Sequence, residues 1–297
     1  MLSTVAAPGA SADGTISERL DGRRVLVTGG SHGIGRAISE ELARRGARVA
    51  IAARGLEAID ATLAELEGDG HRGFPLDVGD EDGWKAMFER LDAAGPLHGL
   101  VAAAGELGPI GELDQVPVEA FARTITVNLI GTMLALAYSL PRLRESGGRA
   151  VTFSGGGATS PLTRYDAYAA SKAAVVRLTE NVAAGTGVPV NAVAPGFVAT
   201  RMHDGTLAAG AAAAGADYHA KTRSQLAEGG VPAELAAELV CFLLSDAADG
   251  ISGRLLSAQW DPWRDPQFQA RLREQPELGT LRRIDEQFFA ATAPAGS

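Results

Sequence analysis

The stretch RRVLVTGGSHGIG, residues 23–35, joins a short apolar run to four closely spaced glycines. Residues 23–28 have the composition of a buried strand, and residues 33–45 have the apolar spacing of a helix. Glycines between a strand and a helix allow a tight turn and let a pyrophosphate approach the backbone. The helix N-terminus then offers free N–H groups to the phosphates. The stretch predicts a dinucleotide-binding turn with Gly29, Ser31, His32, Gly33, Ile34 and Gly35 at the phosphates.

The same alternation of apolar runs and helical segments continues well beyond this turn. Further strands are predicted at 47–52, 72–78, 97–103, 149–154, 188–193 and 254–257, and the main helices between them at 80–94, 117–143, 165–184 and 232–246. Apolar strands separated by helices are typical of a parallel sheet covered on both faces. We therefore expect one Rossmann-type, doubly wound α/β domain with a parallel sheet of about seven strands.

Composition sets the domain limits and excludes several classes of function. We predict a disordered N-terminal arm over 1–20, a folded α/β domain over 21–258 with a mobile flap at 200–230, and a C-terminal extension over 259–297. A formal charge of −9 argues against nucleic-acid binding. A single cysteine excludes an internal disulfide and a cysteine-rich metal site, and no metal is predicted. No signal peptide or membrane-length apolar run is evident, so we expect a cytoplasmic protein without a membrane partner.

The end of the second strand bears on the choice of dinucleotide. An NAD enzyme usually has an acid there to hold the ribose 2′-hydroxyl. This chain instead has Arg54 after an apolar run, with no acid before Glu57. Because a guanidinium offers paired donors that suit a 2′-phosphate, we expect NADP(H) to be preferred, with NAD(H) possible. His32 and Arg36 are further candidates for that phosphate.

A tyrosine and a lysine lie four residues apart in the helix that follows the fifth strand. Tyr168 and Lys172 therefore share one helix face. A cation near a phenol favours the phenolate and lowers its pKa, which suits general acid–base catalysis. The chain has 27 basic residues, of which only Lys85, Lys172 and Lys221 are lysines. Because lysine is so rare here, this spacing of a tyrosine and a lysine is not expected by chance.

Further motifs join these two in a familiar order. They are Asp77-Val78, Val127-Asn128-Leu129, and the run from Asn191 through Pro195-Gly196 to Thr200. Together with the glycine turn and Tyr168-x3-Lys172, they make residues 21–258 resemble the short-chain dehydrogenase/reductases. The resemblance implies an NAD(P)-dependent oxidoreductase of a small carbonyl or alcohol compound, assembled as a homodimer or homotetramer.

The resemblance also implies roles for individual residues. Tyr168 is the proton donor to the carbonyl oxygen, Lys172 holds the nicotinamide ribose and lowers the tyrosine pKa, and Asn128 positions a water in a proton relay. The other implied cofactor contacts are Asp77, Val78, Ala104, Gly105, Pro195, Gly196, Val198 and Thr200.

Two positions depart from the family pattern. The usual serine, about 13 residues before the tyrosine, is replaced by Gly155, with Ser154 one position early. A bulge would re-aim Ser154, which we keep as a candidate catalytic residue; Thr159 and Ser160 are alternatives, and the substrate's own hydroxyl is another. The family's asparagine pair after strand 4 is replaced by alanines in the run 102–105, which puts local rigidity in doubt.

Three functions are compatible with these residues. The leading one is an NADP-dependent oxidoreductase of ketones and secondary alcohols. A redox epimerase or isomerase of a sugar or cyclitol is an alternative, motivated by the missing serine and the unusual extension. A non-enzymatic NADP-binding protein is disfavoured by the Tyr–Lys–Asn set. In the flap, His203, Asp204, Tyr218 and His219 are candidate substrate contacts, whereas Trp260 and Trp263 of the extension are expected to pack.

Overall fold

The computed structural model describes residues 18–283 and contains one seven-stranded parallel sheet. The strands are β1 (Arg24–Thr28), β2 (Arg48–Ala53), β3 (Arg72–Pro75), β4 (Gly99–Ala102), β5 (Arg149–Phe153), β6 (Val190–Ala194) and β7 (Leu255–Ser257). The helices are α1 (Gly33–Arg44), α2 (Leu56–Leu63), α3 (Glu81–Asp92), α4 (Val118–Ile125), α5 (Gly131–Ser146), α6 (Asp166–Thr186), α7 (Asp204–Ala214), α8 (Ala216–Ala227), α9 (Ala233–Leu244) and α10 (Pro266–Glu274). The predicted Rossmann-type α/β fold is confirmed.

The order of the strands places the functional end of the sheet. The sheet runs β3-β2-β1-β4-β5-β6-β7, and every neighbouring pair is parallel. The order therefore reverses between β1 and β4. Doubly wound sheets bind ligands outside the carboxyl ends of their strands at such a switch point.

Two apolar layers cover the sheet, as the continuous apolar strands require. One face packs α1 and α9 through side chains such as Ile38, Leu42 and Phe242. The other face packs α3 and α5 through Trp84, Phe88 and Leu143. Because both faces are buried, the carboxyl ends of the strands are left to the connecting loops.

The predicted arm and extension both reach into this core. Leu20 is fully buried, and its N–H donates to the carbonyl oxygen of Arg45 at 2.9 Å. Trp263 and Leu272 are also buried, and the N–H of Leu255 in the edge strand donates to Gly279 at 2.6 Å. Residues 259–283 therefore continue the domain along β7. The rest of the predicted arm and extension, 1–17 and 284–297, lies outside the described residues.

One continuous helical stretch in the described part of the chain is long and apolar enough to cross a membrane. It covers Val118–Ser146, which includes α4, a π-helical turn at Thr126–Ile130, and α5. It packs against α3, α6, β4 and β5. These contacts pack one side of the stretch against the domain.

Candidate active site

A cavity of about 1450 Å³ opens at the carboxyl ends of the strands. Most of the residues predicted from the sequence to bind the cofactor line it. They are Gly29, Ser31, His32, Gly33, Ile34, Gly35, Arg54, Asp77, Val78, Ala104, Gly105, Tyr168, Pro195, Gly196, Val198 and Thr200. The remaining predicted residues, Lys172, Asn128 and Ser154, lie behind its wall.

The glycine turn forms a cradle that side chains would fill. Gly29 has a φ of +69°, which favours glycine. A Cβ on Gly35 would lie 2.3 Å from the carbonyl oxygen of Gly29, so only glycine lets the helix start this close to the strand. His32 is the N-cap residue of α1, and its side chain makes no capping hydrogen bond. The first turn of the helix contains no acidic residue. The N–H groups of that turn therefore suit the phosphates of a dinucleotide.

The basic residues around this cradle are not equivalent. Arg54 is exposed at the cavity and forms no hydrogen bond or ion pair with the described residues. Arg36, the other predicted arginine, is bound to Glu40 at 2.8 Å and to Glu65 and does not line the cavity. Burial, helped by the nearby Arg201 and Arg36, lowers the pKa of His32. Arg54 therefore remains the group best suited to a 2′-phosphate.

Tyr168 and Lys172 meet at the opposite wall, as their helical spacing predicts. The ammonium lies 5.6 Å from the centre of the phenol ring and donates to the carbonyl oxygen of Phe153 at 3.0 Å. Burial raises the pKa of Tyr168 to about 12 and lowers that of Lys172 to about 8. The expected lowering of the tyrosine pKa is thus outweighed here, because burial disfavours both charged forms. At neutral pH the pair is a neutral phenol beside an ammonium.

Asn128 is completely buried in the π-helical turn and acts as a brace. Its Oδ1 accepts from the N–H of Glu106 at 2.8 Å, and its Nδ2 donates to the carbonyl oxygen of Glu106 and to Ser171 Oγ. It therefore fixes the loop after β4 to the helix that carries Tyr168. Thr28 Oγ1 adds a bond from the N–H of Ala104 at 3.2 Å. These contacts supply the rigidity that the alanine run put in doubt.

The position of the missing serine is filled by the catalytic tyrosine candidate itself. A Cβ on Gly155 would lie 2.3 Å from Tyr168 Oη, so the hydroxyl occupies the space of a side chain there. Ser154 is buried, its Oγ has no hydrogen-bond partner among the described atoms, and it does not line the cavity. Thr159 and Ser160 do line the cavity. They are the hydroxyl side chains nearest to position 155 in sequence that line the cavity.

The flap lines one part of the cavity and contributes residues that lie outside the sequence motifs. Tyr218, a predicted substrate contact, packs on the buried Tyr165 with ring centres 4.9 Å apart, and Tyr165 Oη donates to Thr206 at 3.1 Å. His203 also lines the cavity, stacked on Phe197 with ring centres 3.9 Å apart. Asp204 and His219, the other predicted contacts, do not line it.

One loop residue ties the flap to the rest of the site. Arg164 has a φ of 71°, unique among the described non-glycine residues. Its guanidinium donates to the carbonyl oxygen of Ala212 at the end of α7 at 2.7 Å and pairs with Glu112 at 2.6 Å. Further cavity residues missed by the sequence reading include Glu106, Leu107, Lys221, Gln225, Gln259, Trp260 and Asp261. For Lys221 the signal was present, because lysine is so rare in this chain.

In comparisons with known proteins, the matches to this chain are dehydrogenases and reductases. A family model described as "Enoyl-(Acyl carrier protein) reductase" matches residues 29–258. The chain is 35% identical to cis-4-hydroxycyclohexanecarboxylate dehydrogenase of Sinomonas cyclohexanicum, covering 79% of this chain and 94% of that protein. It is 37% identical to D-threitol dehydrogenase of Mycolicibacterium smegmatis, covering 62% and 73%. A solved short-chain type dehydrogenase/reductase from Mycobacterium ulcerans superposes with a TM-score of 0.71 at 30% identity, covering 80% and 89%.

Proposed function

The chain belongs to the short-chain dehydrogenase/reductase family of oxidoreductases, and from this premise we propose that it transfers a hydride between NADP(H) and a ketone or secondary alcohol, with Tyr168 exchanging the proton. The observation that carries the proposal is the position of Tyr168 at the cavity wall, with the Lys172 ammonium 5.6 Å from the centre of its ring. The dinucleotide supplies the hydride when it is bound.

The proton step follows from the two pKa shifts. In the reductive direction the Tyr168 O–H bond breaks as the former carbonyl oxygen becomes an alcohol. Because the pKa of Tyr168 is raised to about 12, the phenol holds its proton until that oxygen becomes strongly basic. Lys172, protonated below a pKa of about 8, then stabilises the phenolate that remains. Asn128 acts through the backbone, by holding the loop after β4 against this helix.

The cofactor assignment rests on the lining of the cavity. We assign the phosphates to the turn at 29–35, the adenine to Asp77 and Val78, and the carboxamide to the segment 195–200. Asp77 is held in place by the N–H of Gly79, which donates to its Oδ1 at 3.0 Å. Thr200 lies against the glycine turn, since a Cβ on Gly33 would meet its Cγ2 at 3.1 Å. A preference for NADP(H) is supported by the unpartnered Arg54.

The substrate is a small carbonyl or alcohol compound. The relatives act by name on compounds as different as a cyclic hydroxy acid and a polyol. The retained alternative is a redox epimerase or isomerase, which would oxidise and re-reduce its substrate with one bound cofactor. Its support is Gly155 at the usual serine position.

One assay separates these possibilities. The purified protein is supplied with NADPH, or in parallel with NADH, and a panel of cyclic and linear ketones and hydroxy ketones, and both cofactor oxidation and product formation are followed. We expect one NADPH to be consumed per alcohol formed. An isomer of a hydroxy ketone formed without net NADPH consumption would support the isomerase, and no turnover of any compound with either NADPH or NADH would contradict the proposal.

We also propose a homodimer or homotetramer in the cytoplasm. Support comes from exposed apolar side chains on the helical stretch 118–146, where Val118, Ile130 and Met133 are 76%, 38% and 37% exposed. Ile130 and Met133 are three residues apart and share one helix face, and exposed apolar side chains so placed suit an interface between subunits. Light scattering during gel filtration should therefore give two or four times the chain mass, and a monomer would contradict this.

A further inference from the structure

We propose that Lys221 binds an anionic group of the substrate, a carboxylate, so that the enzyme acts on oxo acids and hydroxy acids. The inference rests on the proposed oxidoreductase function and narrows its substrate class. It starts from the third lysine of the chain, which the catalytic assignment does not use. Lys85 is paired with Asp82 at the surface and Lys172 is at the catalytic tyrosine, whereas Lys221 lines the cavity.

Lys221 belongs to a polar face of α8 that lines the cavity. Tyr218, Lys221 and Gln225 recur at helical spacing along α8, and all three line the cavity. The first of them is anchored by its ring contact with the buried Tyr165. The phenol of Tyr218 is near enough to Tyr168 to contribute to its raised pKa. Lys221 therefore lies about one helical turn, or ~5 Å along the axis, beyond a residue that neighbours the reacting centre.

The ammonium of Lys221 has no carboxylate within ion-pair distance among the described residues. Asp217 precedes it by four residues, the spacing at which an acid and a lysine pair on a helix, but no such pair forms. The exposed side chain is thus free to meet a ligand at the cavity mouth.

The carboxylates that line the same cavity are already engaged. Glu106 is held by Arg123 at 3.4 Å and by the hydroxyl of Thr124 at 3.4 Å. Asp261 Oδ2 accepts from the N–H of Ser257 at 2.7 Å. Asp77 accepts from the N–H of Gly79 in the turn after β3. None of these acids compensates Lys221, so an incoming anion would meet an unpaired positive charge.

The other cations on the cavity belong to its dinucleotide end. Arg54 follows β2, where the ribose is assigned, and Arg201 lies near enough to His32 of the glycine turn to lower its pKa. Both therefore suit the phosphates that we assign to this end of the cavity. Lys221 is left on the side of Tyr168 and Tyr218, where the substrate must lie. Its separation from the reacting centre favours a carboxylate several bonds away from the carbonyl carbon.

The test compares a substrate that carries a carboxylate with its uncharged ester. Wild-type enzyme, Lys221→Gln and Lys221→Arg are assayed with NADPH on 4-oxocyclohexanecarboxylate and on its methyl ester. Arg223→Gln is the matched control, because it removes an exposed charge from the same helix on a side that does not line the cavity. A charge-assisted contact corresponds to about a tenfold preference in kcat/KM for the acid.

We expect the wild type, Arg223→Gln and Lys221→Arg to prefer the acid over the ester. Lys221→Gln should lose this preference, because its KM for the acid rises while its kinetics with the ester stay the same. The preference should also weaken as salt is added. Equal use of acid and ester by the wild type, an equal loss on both in Lys221→Gln, or a raised KM for NADPH in that variant would each overturn the proposal.

A binding measurement keeps this proposal separate from the proposed function. Calorimetry on the NADPH complex compares cyclohexanecarboxylate with cyclohexanecarboxamide, neither of which can be reduced. Tighter binding of the acid by the wild type, but not by Lys221→Gln, supports the role of Lys221 even if no ketone is turned over. Equal binding of acid and amide by the wild type overturns it, whatever the outcome of the activity assay.

Discussion

The two halves of the cavity use glycine for opposite purposes. In the cofactor half, which comprises residues 29–35, 54 and 77–78, Gly35 lets one piece of backbone approach another. In the substrate half, which comprises residues 155–168, 218–225 and 259–261, Gly155 makes room for the hydroxyl of Tyr168. The close approach at Gly35 depends on the path of the backbone, whereas the space at Gly155 depends on the position of one side chain, Tyr168.

This contrast reflects what holds each half in place. The cofactor half lies at the ends of β1, β2 and β3, whose ladder bonds and buried side chains fix the backbone. The substrate half is built on helices and loops outside the sheet and is tied by single contacts such as that of Arg164 with Ala212. Substitutions in the cofactor half should therefore affect binding of the dinucleotide, whereas those in the substrate half should affect substrate binding or turnover.

Apart from the loss of Tyr168 itself, the largest expected effect concerns Lys172, which is buried beside Tyr168 behind the cavity wall. Its folded pKa of about 8 lies below the 10.5 of a free lysine, so between these pH values only the unfolded chain keeps the proton. The stability of the wild type should therefore rise relative to Lys172→Met by about 3 kcal/mol from pH 8 to 10.5. Urea unfolding at a series of pH values measures this. Lys85→Met, at an exposed lysine, is the control, and the stability of the wild type relative to this variant should not rise with pH. If the comparison with Lys172→Met also showed no rise, the lowered pKa of Lys172 would be refuted.

The next effect tests the backbone cradle of the cofactor half. A Cβ at position 35 would lie 2.3 Å from the oxygen of Gly29. Gly35→Ala should therefore weaken NADPH binding about 100-fold, since the helix start must move away from the phosphates. Fluorescence titration of NADPH measures the affinity, and circular dichroism checks folding. Gly205→Ala is the matched control, because a Cβ at that position of α7 would meet no atom from outside its own stretch of helix within 4 Å. An unchanged affinity for NADPH in Gly35→Ala would contradict the role of the backbone cradle.

A smaller effect is expected at Arg54, which selects among dinucleotides. Arg54→Gln should raise the KM for NADPH about 30-fold and leave that for NADH nearly unchanged, because only NADPH carries the 2′-phosphate. The same kinetics on Arg271→Gln, an exposed arginine outside the cavity, control for the lost charge. An equal rise for both cofactors would place the arginine elsewhere on the dinucleotide.

The smallest effect sharpens the contrast between the two glycines. Gly155→Ala would displace the Tyr168 hydroxyl, so we expect kcat to fall about tenfold while the dissociation constant of NADPH stays the same. Steady-state kinetics and NADPH titration on one preparation give both values. A loss of NADPH affinity as large as that of Gly35→Ala would show that the halves are not independent.

The fold and the cofactor half could be predicted from the sequence, because their signals are local. The alternation of strands and helices predicted all seven strands, and every residue assigned to the phosphates lines the cavity. Such signals are visible because sheet order and glycine turns depend on backbone and on neighbouring residues. Tyr168 and Lys172 met as predicted, because four residues on a helix define one face.

The substrate half was harder to predict, because its residues come together only in the folded chain. Gln259 and Trp260 are distant in sequence from Tyr218 and Lys221, yet all four line one cavity. The tyrosine pKa also differed in direction from the sequence expectation, since burial at Tyr168 depends on the packing of the whole wall. Likewise, the brace formed by Asn128 involves partners that no spacing rule connects.

The central claim is that Tyr168 delivers the proton in a cavity whose cofactor half works without it. The most direct test is Tyr168→Phe, with kcat for ketone reduction and the dissociation constant of NADPH measured on the same preparation. We predict a loss of kcat of about 1000-fold, within the range for removal of a general acid, and an unchanged affinity for NADPH. Turnover close to that of the wild type would contradict the account.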